Sequence, residues 1–316
     1  MPISDSRAEN SFAATVATPL IVLLGRLVDY AGLFPPAGLG MAKALQNYAE
    51  YRRVRESWMV GRFILPIARL KELETALTDL PQQGTDERPW RLSVLLGTDA
   101  NFDAAHIHAF NARHLPSETS GGLRIESVEC KVGSVDEIAR IAEQIPGTLE
   151  RYFELPLTDE LPTLIAEVRR VGGRAKIRTG GETATAFPSA GQIALFLGVC
   201  AAAEISFKAT AGLHHPLRSI HKFTYAADSP SGTMHGFLNV FLAAAFVHAG
   251  MNAKDAELVL AEESAEAFRF ESDGISWRDR KLSSEALQSA RQSFCTSFGS
   301  CSFTEPVADL QALRLL

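Results

Sequence analysis

Cysteine is scarce in this chain. The four cysteines among 316 residues, Cys130, Cys200, Cys295 and Cys301, show no Cys-x-x-Cys spacing and are too few for a disulfide framework at this size. A reducing cytoplasm is the expected setting. No stretch of the chain is read as a membrane span either. The most apolar stretch, Gly236 to Ala249, is too short for a bilayer and reads as a helix buried on most sides. Residues 1 to 16 mix Asp5, Arg7, Glu9 and Asn10 with small side chains and are expected to be neither a signal peptide nor a membrane anchor. Positive charge is not in excess: 31 Lys and Arg against 37 Asp and Glu give a net charge of −6. Such a chain has no overall basic field, so neither nucleic acid nor an anionic membrane is expected as a partner. Self-association is left open. A Gly-x-Gly-x-x-Gly fingerprint is missing, which argues against hydride transfer on a Rossmann domain. The absence of a short-period repeat sets aside solenoids and propellers.

What the chain does have is alternation. Strand-like segments at Arg62 to Pro66, Arg91 to Gly97, Leu123 to Val132, Leu149 to Leu155, Arg174 to Arg178 and Ile205 to Thr210 are separated by stretches of helical periodicity. This pattern predicts βα units on a parallel sheet. Adding a first strand near Asp29 and Tyr30 and a last one near Phe268 to Phe270 brings the count to eight. The expected fold class is α/β, a single (β/α)8 TIM-barrel-like domain over residues 21–316 with a C-terminal extension, preceded by an N-terminal extension of residues 1–20. Ser134 before Val135-Asp136-Glu137, and Thr158-Asp159-Glu160 before Leu161, read as helix starts. The segments Leu80 to Pro89 and His114 to Gly122 read as surface loops. A longer loop from His214 to Thr233 follows a candidate catalytic strand and reads as a lid.

Within the strands, a period of two sorts side chains to opposite faces. In Lys176-Ile177-Arg178-Thr179-Gly180-Gly181 and in Ser206-Phe207-Lys208-Ala209-Thr210-Ala211-Gly212, the apolar set meets the surrounding helices. The lysines then point inward. The same phase turns Glu129 and Lys131 inward from the fourth strand and Glu154 from the fifth, with Asp29 added from the first. Without Asp29 this is four cations, Lys131, Lys176, Arg178 and Lys208, against two anions, Glu129 and Glu154. The excess favours a small anionic metabolite. Two neighbouring ammonium groups also disfavour each other, so a depressed lysine pKa is expected, and a neutral lysine is a nucleophile. The plainer alternative is a set of internal ion pairs that neutralise one another.

The pair Lys176-x-x-Thr179-Gly180 and Lys208-x-x-Ala211-Gly212 resembles the sixth and seventh strands of the deoxyribose-phosphate aldolase group of class I aldolases, over about forty of the 316 residues. The resemblance implies that Lys176 forms the Schiff base and Lys208, on the next strand, lowers its pKa. Gly180 and Gly181 offer backbone amides for an anion, but no second phosphate loop follows the last strand. Two longer segments, Asp29-Tyr30-Ala31-Gly32-Leu33-Phe34-Pro35-Pro36-Ala37 and Lys208-Ala-Thr-Ala-Gly-Leu-His-His-Pro216, resemble a group of bacterial proteins with no assigned activity. That likeness implies none.

Other residues widen the field. His214, His215, His221 and His235 cluster after Lys208, and His214 or His215 could act as a general acid or base. A turn-capping histidine before Pro216 is the bland alternative. None of the histidines has the i, i+4 spacing of a helical zinc site, so no metal is expected. Asp29 stands before a glycine and two prolines, a rigid path that can position a carboxylate or simply hold a turn. Cys301 sits among small residues with no adjacent base to activate it. The expected function is carbon–carbon bond making or breaking through a lysine imine, on a small anionic carbonyl compound. Lys176 attacks, Lys208 modulates, Glu154 or Glu129 relays protons, and Arg178, Lys131, Thr210, Gly180 and Gly181 bind. No organic cofactor is needed, because the protonated imine is itself the electron sink. Two rivals remain: a metal-dependent hydrolase or lyase using Asp29, Glu154 and the histidines, and a non-catalytic binder of an anionic metabolite.

Overall fold

A computed structural model describes residues 18–78, 89–115 and 122–316. The expected extension, residues 1–20, and the loops at 80–89 and 114–122 fall largely outside these. From Thr18 the chain forms a helix, Thr18–Leu24, whose Leu20, Leu23 and Leu24 are buried.

Eight parallel strands close into a barrel, as the alternation predicts. They are β1 (Val28–Tyr30), β2 (Val60–Pro66), β3 (Trp90–Leu95), β4 (Leu123–Lys131), β5 (Glu150–Glu154), β6 (Arg174–Arg178), β7 (Phe207–Thr210) and a closing strand at Cys295–Ser300, which pairs with both β7 and β1. Around the barrel, helices such as Met41–Tyr51, Val135–Gln144 and Leu161–Arg170 follow their strands. Ser134 caps one by accepting a hydrogen bond from the Glu137 amide. The second expected start differs: Glu160 is the cap residue, without a side-chain bond, and Pro162 occupies the first turn, where its missing N–H costs nothing.

The last strand was expected near Phe268 to Phe270, and the structure corrects this. Phe268–Glu271 (β10) belongs instead to a separate three-stranded antiparallel meander with β11 (Gly274–Trp277) and β12 (Arg280–Ser283). The true closing strand, β13 (Cys295–Ser300), reads Cys-Thr-Ser-Phe-Gly-Ser. Its small residues carry little β-propensity, yet Phe298 points outward to stack on Phe237 and meet the tilted ring of Phe241, while Ser297 turns inward.

The expected lid also has more structure than a loop. It contains the antiparallel hairpin of β8 (Ser219–Lys222) and β9 (Ser231–Met234). The helix that follows, Phe237–His248, is buried along its whole length to Val247, because the barrel lies on one side and the helices Ala190–Ala202, Ala253–Leu260 and Ser284–Ser293 on the others. The apolar stretch Ala184–Ala202 reaches membrane-spanning length. It is interrupted, however, by Pro188 and by the Ser189–Gln192 capping box, which leaves a helix of 13 residues.

Outward-facing strand residues build the core. Phe207 packs edge-on against Phe196 and Phe294 and stacks on Phe241, while Phe63 meets Tyr30 and Tyr48. Inside the barrel, the end where the strands begin is filled by ion pairs. Arg62 binds Glu126 and Glu150 at 3.2 and 3.0 Å, Arg91 binds Glu126 at 2.8 Å, and Arg174 binds Glu150 at 3.3 Å. The opposite end of the strands is open.

Candidate active site

Above that plug, the inward residues form one continuous chain of opposite charges. The Lys208 ammonium donates to Asp29 and to Glu129, both at 2.7 Å. Glu129 turns its other oxygen to Lys176 at 2.8 Å, and Lys176 also meets Glu154 at 2.9 Å. Glu154 in turn receives the Nε–H of Arg178 at 3.2 Å. The register sets this alternation, since Glu154 pairs with Lys176, and Lys176 with Lys208, across β5, β6 and β7.

Residues that were not foreseen complete the network. Ser93 donates to Glu129 at 2.7 Å and accepts from Ser127 at 2.8 Å. Ser297 and the Arg62 amide donate to Asp29 at 2.8 and 2.7 Å. Ser93 was legible, because it shares the inward phase of Arg91 and Leu95. Ser297 was not, since its strand was not recognised.

A cavity of about 510 Å³ opens above this chain. Lys176 lies on its lining, 4 % exposed, whereas Lys208 is fully buried and does not reach it. Arg178, Thr210, Gly181, Gly212, Glu129, Glu154 and His214 also line it. The hairpin reaches the cavity through Phe223 and Met234, and the rigid loop after β1 through Phe34, Pro35 and Pro36. Asp29 lies deeper, beside Lys208. The loop after β7 holds Ala211 at φ 62° and Gly212 at φ 75°. A non-glycine residue in that region is strained, and Thr179 secures the turn by donating to the Ala211 carbonyl at 2.6 Å.

Three sequence-based expectations are corrected here. Neither lysine has a depressed pKa. Burial alone would lower both, but Glu129 and Glu154 hold the Lys176 ammonium above the usual lysine range, and Asp29 and Glu129 do the same for Lys208. Burial would raise the Glu129 and Glu154 carboxyls, yet the two lysines hold Glu129 well below its ordinary value, and Lys176 and Arg178 hold Glu154 below its own. The chain of charges below the cavity carries no positive excess either. Lys176, Lys208 and Arg178 are matched by Asp29, Glu129 and Glu154, and Lys131 is exposed on a side groove of about 340 Å³ rather than on the cavity. Finally, Gly180 does not line the cavity. A Cβ there would lie 2.5 Å from the Phe187 ring and 2.8 Å from the Gly212 Cα, so this glycine lets the loops after β6 and β7 cross closely.

The histidines separate. His214 lines the cavity and meets Glu305 at 3.3 Å and the Cys301 thiol at 4.0 Å. Burial works against its charge, but its hydrogen bonds with Cys301 and Glu305 push its pKa up to about 9. Tyr225 joins them by donating to Glu305 at 2.8 Å. His215 faces away from the cavity, pairing with Asp309 at 2.6 Å and stacking on His221 at 3.4 Å. His235 binds the Pro188 carbonyl. Among the described residues, no group of three or more His, Cys, Asp and Glu side chains is arranged to hold a metal ion. The ligands of the metal-dependent reading are thus not brought together, because Asp29 and Glu154 are each engaged by an ammonium group.

Comparisons with protein-family models, with curated proteins and with solved structures find no match for this chain.

Proposed function

We propose that this barrel is a lyase of the class I aldolase type, forming an imine between Lys176 and a small carbonyl compound that carries an anionic group. One observation carries the reading. Of the two inward lysines, Lys176 alone reaches the cavity, and it does so between two carboxylates that can take its proton. Lys208 sits behind it, where it anchors Glu129 and Asp29.

In this scheme Lys176 begins as an ammonium. Proton transfer to Glu154 over 2.9 Å leaves a neutral pair, and the freed lone pair attacks the carbonyl carbon while the carbonyl electrons move to oxygen. Protonated Glu154 returns the proton to that oxygen, a carboxylate then passes one proton from the attached nitrogen to the resulting hydroxyl, water departs, and the protonated imine forms with its positive charge where the ammonium was. The carboxylates that raise the lysine pKa therefore oppose the attack but stabilise the iminium that follows. For cleavage, a carboxylate accepts the proton of a hydroxyl group on the β carbon, the adjacent C–C bond breaks, and its electron pair enters the iminium to give an enamine. His214, protonated near neutrality, supplies the proton that the enamine carbon takes up. Water then hydrolyses the imine and frees Lys176. Reductive trapping with sodium cyanoborohydride and a panel of aldehydes and keto acids tests the proposal: covalent labelling supports it, and a protein inert to the whole panel, with no aldol cleavage detected, removes it.

A further inference from the structure

The charges around the two cavities are unevenly spread. In the central cavity Lys176 and Arg178 face Glu129, Glu154 and the exposed Glu182, while His214 is paired with Glu305. An anion placed beside Lys176 would lie against the two carboxylates that already hold that ammonium, which is unfavourable in a buried site. The central cavity is therefore the wrong end for a negative group.

The side groove has the opposite character. It is lined by Lys131, Glu154 and Arg178, which stand at the ends of the consecutive strands β4, β5 and β6, and by the apolar Leu155, Leu157 and Phe187. Among the described residues Lys131 has no carboxylate within 4 Å, and the Arg178 side chain is half exposed, with its Nε–H on Glu154 and its Nη1 donating at 3.5 Å to the Gly180 carbonyl, which leaves its Nη2 uncommitted. Two cations thus face a single carboxylate that Lys176 also neutralises. The groove adjoins the central cavity, since Glu154, Arg178 and Ala186 line both.

We infer that the side groove is the anion subsite of the substrate: the carbonyl group reaches Lys176 in the central cavity, an apolar carbon chain passes Arg178, and a terminal carboxylate or phosphate binds between Arg178 and Lys131. The inference rests on the imine reading for the position of the carbonyl. It selects carbonyl acids whose anionic group is several bonds from the reacting carbon and disfavours 2-oxo acids, whose carboxylate would be carried to Glu129 and Glu154.

The test compares concentrations for half-maximal reductive labelling. The probes are butanal, pyruvate, glyceraldehyde 3-phosphate and the ω-oxo acids from 4-oxobutanoate to 7-oxoheptanoate. In the wild type, at least one distal acid labels at a concentration about tenfold lower than butanal, the low end of the effect of a hydrogen bond to a charged group. Lys131→Gln removes most of that ratio, while Lys254→Gln, exposed on the helix Ala253–Leu260 and away from both cavities, retains it. Preference for the phosphate or the carboxylate probes tells which anion the groove takes. An unchanged ratio in Lys131→Gln, or pyruvate labelling ahead of every distal acid, overturns the subsite while leaving the imine in place. Should no carbonyl compound label, calorimetric titration with glutarate and adipate decides: binding lost in Lys131→Gln upholds the subsite without the imine, and no binding overturns the subsite as well.

Discussion

Lys176 and Lys208 are register partners on adjacent strands, and Glu129 stands between them, one oxygen 2.8 Å from the first ammonium and the other 2.7 Å from the second. This single carboxylate converts what would be mutual repulsion into a bridge. The consequence for chemistry is that Lys176 is not activated by its neighbour's charge. Its reactivity depends on handing a proton to a carboxylate.

Removing one member of a buried, bridged set leaves its partners uncompensated. Lys208→Met is therefore expected to cost about 3–5 kcal/mol of stability, read by urea denaturation, because Asp29 and Glu129 lose their shared cation. Adding Glu129→Gln should recover part of that cost, since the double variant buries one fewer unpaired charge. Strict additivity of the two changes would mean that the bridge is not energetically coupled.

The pH dependence of stability has a definite sign at each end. Glu129 and Glu154 have folded pKa values below their unfolded value of about 4.3. Their contribution is complete above that value and is lost as pH falls through the folded values. Lys176 and Lys208 are raised above about 10.4, so their contribution is complete below that value and is lost as pH rises through the folded ones. This cluster should therefore leave stability flat from about pH 5 to 10. In Glu129→Gln the acid limb should be shallower; acid limbs that run parallel in variant and wild type would contradict the assignment.

The rate of imine formation should rise with pH through the alkaline range, because the neutral amine is scarce while Glu129 and Glu154 hold the proton on Lys176. Initial rates of reductive labelling at saturating aldehyde, measured from pH 7 to 10, check this. A rate independent of pH above neutrality would point to a lysine already neutral at rest.

Gly180→Ala should impair the site without touching a charged group. The added methyl carbon would meet the Gly212 backbone at 2.8 Å and the Phe187 ring at 2.5 Å. The ring can turn aside, but the backbone of the adjoining loop must move and carry Thr210 and Gly212 with it. Slower labelling together with a lowered melting temperature is the expected result. Wild-type labelling in Gly180→Ala would show that the crossing of these loops does not shape the cavity.

The barrel was legible in the sequence because β4, β6 and β7 alternate cleanly and are separated by helices with recognisable starts, such as Ser134. The closing strand was not, since Cys-Thr-Ser-Phe-Gly-Ser has Thr296 as its one branched residue among small ones, whereas Phe268-Arg269-Phe270 has the right alternation but pairs in an antiparallel meander. Phase alone brought Asp29, Glu129, Glu154, Lys176, Lys208 and Arg178 together correctly. It could not say that Asp29 and Glu129 would neutralise the lysines, because that depends on which strand ends are neighbours across the barrel and at what height. Lys131 shows the same limit: its phase is inward, but it lies at the very end of β4, beside Glu154 and outside the cavity. Adjacent His214 and His215 part company as an extended chain requires, one toward the cavity and one toward Asp309.

The most direct measurement of the central claim is the site of covalent attachment in the unmodified protein. After incubation with a small aldehyde and sodium cyanoborohydride, intact mass and peptide mapping should show one equivalent of the aldehyde, less one oxygen atom, on Lys176. Borohydride-dependent labelling spread over surface lysines, or placed on Lys208 with Lys176 unmodified, would contradict the account.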